Sequence, residues 1–234
     1  MSDESIWKAR AGKFMALEHL SQERALHPVL LRLIEQGSGD RLLDYGCGDG
    51  RILARLSNRW RIDAYDPSEQ MRELAQLRVG SRLSRMAANL DDLEGRYDVI
   101  ILGMIILVLP HEDDVRRVLQ ECACRMDNSS RLFITTTHPC FRASDFSNFS
   151  TSFGRTQPFS YLLNGTPFEV TLRDHDVEGI VFTDYHWSLS FTLNALSSEG
   201  LSVVSMLEVP DDPESSSRNP LVPPFLIMEC RRSS

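Results

Sequence analysis

The sequence predicts an α/β protein with a doubly wound, mostly parallel sheet of seven strands, an antiparallel terminal strand, and an inserted hairpin and loop cover. Short apolar runs alternate with segments of helical periodicity between residues 40 and 137, which is typical of successive βαβ units. A turn with three glycines, at 46–50, follows the first apolar run. The last two apolar runs are joined by a polar loop without a helix, which favours antiparallel pairing.

Helices are predicted for the N-terminal segment, residues 1–39. Apolar residues recur there at helical spacing and form one stripe, namely Leu26, Val29, Leu30, Leu33 and Ile34. Pro28 suits the first turn of this helix, and Gly37 follows its end. An earlier helix is expected either to cover a ligand with Trp7 or Phe14 or to pack into the core.

Residues 40–137 are predicted to form the ligand-binding core. The run Tyr97–Leu102 is apolar on both faces, as expected for a central parallel strand. Asp66-Pro67-Ser68-Glu69 is a good helix start, with Asp as N-cap, Pro at the first position and Glu at the third. The strands are expected at 41–45, 61–65, 83–87, 97–102 and 131–137, and the helices at 50–58, 69–78 and 113–126.

The alternation breaks between residues 138 and 187. Phe168–Arg173 and Glu178–Tyr185 alternate like the two arms of a hairpin. The segment is also rich in aromatic side chains: Phe141, Phe146, Phe149, Phe153, Phe159, Tyr161 and Phe168. The remaining part, 188–234, completes the sheet, with a helix at 188–199 and strands at 201–209 and 225–230. Together these parts are expected to form a single domain, 1–234.

Composition and charge exclude several classes of protein. A chain of 234 residues at 42% hydrophobic can bury a full core, and its net charge of −8 argues against a large basic surface for nucleic acid. No run approaches the length of a membrane span, and the acidic N-terminus does not resemble a secretion signal. The five cysteines are scattered, which favours a reduced, cytoplasmic protein without a metal site. A monomer or a homodimer is expected.

The turn Asp44-Tyr45-Gly46-Cys47-Gly48-Asp49-Gly50 is the most specific signal in the chain. Glycine tolerates a positive φ and leaves room for a ligand against bare backbone, and free N–H groups near a helix start can bind polar or negative groups. The spacing G-x-G-x-G differs from the G-x-G-x-x-G of dinucleotide sites. A glycine-rich turn without a ligand is the alternative. With Asp44 two positions before the first glycine, the segment resembles motif I of class I S-adenosylmethionine (SAM)-dependent methyltransferases of the small-molecule type.

This resemblance implies a Rossmann-like methyltransferase fold and a SAM site at the carboxyl ends of the strands. After the first strand, the implied contacts are Asp44, Gly46, Cys47, Gly48 and Gly50. After the second strand, an acidic residue of the family accepts both ribose hydroxyls, which implies this role for Asp66, followed by Pro67. The alternative for Asp66 is the N-cap of the next helix. Met71 either packs under the adenine ring or belongs to the core.

The third and fourth strands carry the rest of the implied site. Relatives often have Ala-Asp-Leu after the third strand, and this chain has Ala88-Asn89-Leu90, in which the Asn89 carbonyl can still accept from the adenine amino group and Leu90 flanks the ring. Gly103 and Met104 follow the fourth strand, where the family places backbone contacts to the methionyl part. The histidine that many relatives carry a few residues later is absent from this chain.

Methyl transfer from a sulfonium requires alignment and, for a hydroxyl, thiol or carbon acceptor, a general base. The candidates are His138 and the pair Tyr185-His186, because similar His-Pro-Cys-Phe and Tyr-His-Arg-Pro-Leu-Ser stretches occur in a subset of small-molecule methyltransferases. The Arg-Pro pair of the second stretch is missing here. The alternative for His138 is a loop histidine that caps a strand end.

The aromatic segment 138–187 is predicted to cover an apolar pocket for a small organic acceptor, apolar or aromatic, although a separate small core or a dimer face would explain the same residues. The acceptor atom, O, N or C, is left open. So are three other functions: an RNA or protein methyltransferase, a non-catalytic SAM-binding protein, and a nicotinamide-dependent dehydrogenase. The negative charge counts against nucleic acid, and the glycine spacing counts against the dehydrogenase.

Overall fold

The computed structural model describes residues 22–146, 149–153, 159–174, 177–211 and 222–233. The expected helix with Trp7 or Phe14 lies outside these ranges. A π-helical turn, Gln22–Leu26, leads directly into helix α1 (His27–Glu35), which has Pro28 in its first turn as predicted. The later helices are α2 (Glu69–Val79), α3 (Glu112–Cys124) and α4 (Leu189–Ser198).

Within the described ranges, ten strands form two sheets. In chain order they are β1 (Arg41–Tyr45), β2 (Arg61–Tyr65), β3 (Leu83–Ala87), β4 (Val99–Gly103), β5 (Arg131–Thr137), β6 (Phe149–Ser152), β7 (Thr166–Asp174), β8 (Val177–His186), β9 (Leu201–Val209) and β10 (Phe225–Arg232). The large sheet has seven strands in the order β3-β2-β1-β4-β5-β10-β9, and the small sheet has three in the order β6-β7-β8.

The large sheet confirms the predicted fold class. Strands β1 to β5 pair in parallel, and β10 pairs antiparallel with both β5 and β9, so the terminal strand is the one that runs against the other six. Strand β1 lies between β2 and β4. The chain runs outward from β1 to β2 and β3 and then returns to the other side of β1 as β4. A crevice forms at the carboxyl ends of strands where the order reverses in this way. Asp44, near the end of β1, lies beside Ala64 of β2 and Ile101 of β4.

Apolar layers cover both faces of the large sheet. One cluster joins Ile34 of α1 to sheet residues such as Ile101 and Phe133. The other joins Leu119 of α3 and Leu196 of α4 to the opposite face. Phe149, Phe168, Val170 and Leu172 of the small sheet belong to the first cluster, so the small sheet packs on the same core as α1.

Two local predictions need correction. The helix expected at 50–58 is wrong: a single 3-10 turn, Leu53–Arg55, is formed there, and the chain becomes extended at Leu56, with ψ of 155°. One turn already buries Leu53 and Leu56, two of the three apolar residues, with Ile52, that suggested a longer helix. The predicted hairpin is confirmed as β7 and β8, but it gains a third strand, β6, that was not predicted.

Along the described ranges, every helix is too short or too polar to cross a bilayer.

Candidate active site

A cavity of about 330 Å³ opens at the carboxyl ends of β1, β2 and β4 and continues to the small sheet. At one end, nine of the twelve residues that the sequence predicts for the cofactor line it: Asp44, Gly46, Cys47, Gly48, Asp66, Pro67, Met71, Gly103 and Met104. At the other end, the walls are Phe149, Val170, Leu172, Phe182, Asp184 and Phe225. One continuous space therefore joins the glycine turn to the small sheet.

The glycine turn is held in place by backbone hydrogen bonds to β2. The N–H groups of Gly46 and Cys47 both donate to the carbonyl of Tyr65, at 2.8 and 3.0 Å. The next free N–H, that of Gly48, donates to Oδ2 of Asp66 at 2.9 Å. Burial raises the pKa of the Cys47 thiol, so this side chain is an apolar wall rather than a nucleophile at neutral pH.

Asp66 joins the glycine turn to the start of α2. Its Oδ1 accepts from the N–H of Ser68 at 2.9 Å, while Oδ2 accepts from Gly48. The N-cap of α2 is Ser68, whose hydroxyl accepts from the N–H of Met71, so the N-cap role considered for Asp66 belongs to another residue. Burial raises the pKa of Asp66, and the two backbone N–H groups act in the opposite direction. Each carboxylate oxygen retains acceptor capacity for a diol.

Asp44 lies beneath the turn and is 4% exposed. Burial, together with the neighbouring charge of Asp66, raises the pKa of Asp44 to about 8. Two carboxyl groups that repel each other in one cavity form a place where a cationic ligand is favoured. The N–H groups of Gly46, Cys47, Gly48 and Gly50 all donate to groups of the protein, so the carboxyl groups are the polar groups that the glycine turn and the end of β2 turn toward a ligand.

Asp49 fixes the turn to its surroundings. Its Oδ2 accepts from Nε of Arg51 at 2.9 Å and from Nη1 of Arg78, on α2, at 2.8 Å. Arg51 also pairs with Glu23 in the helical turn before α1. Leu26 and His27, together with Gln22, then form the wall of the cavity on that side.

Comparison with known proteins shows the family. Residues 17–173, more than half of the chain, match the family model described as a methyltransferase domain. The chain belongs to this methyltransferase family. A ubiquinone biosynthesis O-methyltransferase of Coxiella burnetii is 28% identical over 170 residues, which are 68% of this chain and 67% of that protein. The dehydrogenase alternative is thereby excluded.

Solved structures of low sequence identity show the same fold. A SAM-dependent methyltransferase from Clostridium acetobutylicum superposes with a TM-score of 0.65 at 12% identity, with all of both chains covered. Another from Mesorhizobium loti has a TM-score of 0.61 at 22% identity, covering 87% of this chain and 96% of that one. The fold class, the enzyme class and the SAM cofactor predicted from the glycine turn are confirmed.

Three residues predicted for the cofactor lie outside the cavity lining of the methyltransferase. Gly50 packs on α2, where a Cβ would come within 2.9 Å of Val79 Cγ2 and 3.1 Å of Ala75 Cα. Asn89 is exposed and Leu90 half-buried, directly after β3. Their contacts with adenine stay a prediction.

Met104 has an unusual backbone at the end of β4. It is the one non-glycine residue with a positive φ, 59°, within the described ranges. Its N–H donates to the carbonyl of Thr135 at 2.9 Å, which holds this conformation in place. Strained backbone of this kind clusters at ligand sites. Met104 and Gly103 both line the cavity of the methyltransferase.

The structure places His138 away from the cavity lining, with both ring nitrogens engaged. Nδ1 accepts from the N–H of Cys140 at 3.2 Å, which leaves Nε2 as the donor to Glu208 Oε1 at 3.0 Å. Burial lowers the pKa of His138. The imidazole thus caps the 3-10 turn Pro139–Phe141 and ties the end of β5 to β9, which favours the capping role over the base role.

Tyr185 and His186 also lie outside the lining. Tyr185 points to the outer side of the small sheet and packs against the second apolar cluster. His186 is fully buried on the inner side, and its Nε2 donates to the carbonyl of Tyr161 at 2.8 Å. Its Nδ1 has no hydrogen-bond partner among the described residues. Burial lowers the pKa of His186, so the ring is neutral at neutral pH.

Asp184 lines the cavity but is absent from the residues that the sequence predicts for the site. The alternation of β8 in the sequence already indicates that Asp184 faces inward. Ile180 and Phe182 are spaced as inward-facing residues, and Asp184 continues the same spacing. A carboxyl group at an inward position among apolar residues indicates function more strongly than a histidine in a loop does, because burying a charged group without a partner is costly.

Proposed function

We propose that the protein transfers a methyl group from SAM to a small organic acceptor with an apolar or aromatic body. The observation that carries this proposal is the single cavity that joins the glycine turn, with Asp44 and Asp66, to the apolar inner side of the small sheet. Cofactor and acceptor sites must share one space for an in-line transfer.

In this proposal the chain's residues bind and align. SAM supplies a methyl group already activated on a sulfonium. Asp66 orients the ribose hydroxyls while keeping its bonds to Gly48 and Ser68, and Asp44 faces the cationic part of the cofactor. Asn89 and Leu90 contact adenine. Phe149 and the other apolar walls exclude water from the acceptor.

In the same proposal, each part of the chain has its own role. Residues 40–137 hold the cofactor, 138–187 cover the acceptor, and 1–39 and 188–234 complete one domain. The C. burnetii relative is named as an O-methyltransferase, which supports oxygen as the acceptor atom. The net charge of −8 supports a small molecule over nucleic acid, and five unpaired cysteines support a cytoplasmic monomer or homodimer.

Calorimetry with SAM, S-adenosylhomocysteine (SAH) and NAD tests the cofactor site. We expect SAM and SAH to bind and NAD to give no heat. The Asp66→Asn variant is expected to weaken SAH binding by about tenfold or more, since one charged hydrogen-bond acceptor is lost. The exposed Asp91→Asn variant is the matched control. NAD binding, or no binding of SAH to the wild type, would contradict the proposal.

A panel of small phenols, amines and carboxylic acids with labelled SAM tests transfer. Incorporation of label into one class of acceptor is expected. Tight SAH binding without transfer to any of them would instead support the non-catalytic SAM-binding alternative.

A further inference from the structure

The inner side of the small sheet carries one carboxyl group among apolar neighbours. Across β7 and β8, Asp184 stands opposite Phe168, and the next inward pair along the strands is Phe182 and Val170. Asp184 is 4% exposed, lines the cavity, and its Oδ1 has no hydrogen-bond partner in the described part of the chain. The other carboxyl groups in the lining belong to Asp44, Asp49 and Asp66, at the glycine turn or the end of β2.

Arg142 provides the charge that faces Asp184. It follows β5, is 2% exposed, and its guanidinium lies 4.9 Å from the centre of the Phe168 ring, which is opposite Asp184 on the sheet. Its Nε and Nη1 also have no partner within the described ranges. His186, next on the same side of β8, has an unpartnered Nδ1. Buried polar atoms are rarely left without partners. Of these three side chains Asp184 lines the cavity, whereas Arg142 and His186 lie behind the lining, so Asp184 is the group that a polar ligand in the cavity can reach.

We infer that Asp184 accepts the proton of the methyl acceptor, and that this acceptor presents an acidic hydroxyl group, a phenol or an enol, on an apolar ring. The inference rests on the proposed function and names the acceptor class and the base for the same cavity. Asp184 then replaces His138, His186 and Tyr185 as the side chain that contacts the reacting group.

The reaction balances with the groups in the cavity. The hydroxyl oxygen forms a bond to the methyl carbon, and the bond between that carbon and sulfur breaks with its electron pair left on sulfur. The hydroxyl proton goes to Asp184, which becomes neutral beside the cationic Arg142. The products are the methyl ether, SAH and protonated Asp184, which returns its proton to water after product release.

The charges near Asp184 favour a hydroxyl over other acceptors. An ammonium group would bring a second buried cation next to Arg142, which is costly. A carboxylic acid acceptor has already lost its proton at neutral pH and would repel an ionised Asp184. A phenol or enol enters neutral and loses its proton only during transfer.

The acidity of Asp184 suits this role. Burial raises its pKa and Arg142 lowers it, with a result of about 7. A base is most effective when its pKa lies near the working pH. Among the described residues, Arg142, in the turn after β5, is the charged group that acts on the pKa of Asp184. His186 follows two positions later on the same strand, and Asp44, Asp49 and Asp66 line the other end of the cavity.

Binding of matched probes in the presence of saturating SAH tests the inference without turnover. The probes are para-cresol, para-toluidine, which has an amine in place of the hydroxyl, and toluene, which has neither; all three are uncharged at neutral pH. We expect the wild type to bind para-cresol about tenfold more tightly than either comparator, because a site built around a hydroxyl rejects analogues that lack it. Asp184→Asn is expected to bring the three affinities within about twofold, while the exposed Glu169→Gln on the outer side of β7 keeps the wild-type preference.

The outcomes separate this inference from the proposed function. SAH binding to wild type and Asp184→Asn reports that the cofactor site and the fold are intact. With SAH bound, equal affinities of the wild type for the three probes, or an unchanged preference in Asp184→Asn, would overturn the inference and leave the proposed function standing. Should Asp184→Asn fail to fold, Asp184→Glu retains the charge facing Arg142, and we expect it to keep the preference for para-cresol while methylating it more slowly. Loss of SAH binding in the wild type would contradict the proposed function itself.

Discussion

Gly48 and Gly50 have the same kind of backbone but different surroundings. Both have a positive φ, +54° and +74°, so an alanine would be strained at either position. A Cβ at Gly48 meets no atom within 4 Å and Gly48 lines the cavity, whereas a Cβ at Gly50 would press on Val79 and on the backbone of Ala75. We therefore expect Gly48 to contact the ligand, whereas Gly50 is required for packing against α2.

We expect Gly48→Ala and Gly50→Ala to separate these two roles. Gly48→Ala should cost roughly 1 kcal/mol of stability for the backbone strain, and lower SAH affinity by about tenfold because its methyl group occupies ligand space. Gly50→Ala should cost roughly 1–3 kcal/mol more in stability because α2 must move. Urea unfolding and SAH calorimetry on both variants measure this. Equal losses of stability would show that the contact with α2 does not matter.

The pKa of Asp44 predicts how SAM binding depends on pH. Because the pKa of the free protein's Asp44 is raised to about 8, most molecules must lose a proton before this carboxyl can face a cationic cofactor. SAM affinity should therefore rise as the pH increases toward about 8 and level off above it. Asp44→Asn should bind SAM more weakly and lose most of this dependence. Calorimetry at several pH values tests it, and a wild-type affinity that falls as the pH rises toward 8 would refute it.

We expect substitutions on the inner side of the small sheet to affect acceptor binding and to leave cofactor binding unchanged. Phe149 of β6 is buried, stacks on Phe146 with ring centres 4.8 Å apart, and lines the cavity. Val181 lies on the outer side of β8 and is 40% exposed. Substitutions at these two positions therefore test the inner and outer sides of one sheet.

Phe149→Ala should destabilise the protein by roughly 3–5 kcal/mol and weaken binding of the para-cresol probe. Val181→Ala should change stability by less than about 1 kcal/mol and leave the probe affinity unchanged. SAH affinity, measured where both variants are folded, should stay within about twofold of wild type, since the hydrogen bonds that hold the glycine turn do not involve Phe149. A loss of SAH affinity equal to the loss of probe affinity would show that the two ends of the cavity are not independent.

Elements with a long regular pattern could be predicted from the sequence, and short ones could not. The parallel strands and the β7–β8 hairpin show clear alternation or apolar runs. β6 has only four residues, and its partner β7 begins fourteen residues later at Thr166, so no local pattern marks it. The helix expected at 50–58 failed because Leu53 and Leu56 are three residues apart, a spacing that one 3-10 turn satisfies as well as a helix does.

The same rule applies to the residues of the candidate site: a local pattern can be predicted from the sequence, whereas a contact between distant segments cannot. The conformation of the glycine turn was predictable because backbone geometry restricts the sequence there. The inward position of Asp184 follows from the alternation of β8, but its charged neighbour Arg142 could not be predicted, because it lies 42 positions earlier and reaches Asp184 only through the packing of the small sheet. Histidine chemistry suggested His138 as a base, but both of its ring nitrogens are engaged by protein groups. The N–H of Cys140 is a backbone group that any residue would supply, and Glu208 lies 70 positions away, so the sequence marks neither contact.

At the scale of the whole molecule, the buried carboxyl groups of the cavity lower the stability of the folded state when they are ionised. The pKa values of Asp44 and Asp184 are raised from 3.8 to about 8 and about 7, so the folded protein holds these protons more tightly than the unfolded chain does. Stability therefore falls as the pH rises from about 4 to about 8. His138 and His186 act oppositely: their pKa values are lowered from 6.5, and stability is lost as the pH falls below that value. Between pH 6.5 and 8 the carboxyl groups therefore set the direction of the change for the described residues.

The free energy of unfolding of the ligand-free wild type should accordingly decrease between pH 6.5 and about 8. Asp44→Asn should flatten this decrease and be more stable than wild type at pH 8 by a few kcal/mol, roughly, although it binds SAM less well. Asp91→Asn, at an exposed position, should follow the wild type at every pH. Urea unfolding at pH 6.5 and 8 measures the change. A wild-type stability that stays level or rises across this interval would show that Asp44 is ionised in the folded protein at little cost, and the pH dependence expected for SAM binding would fail with it.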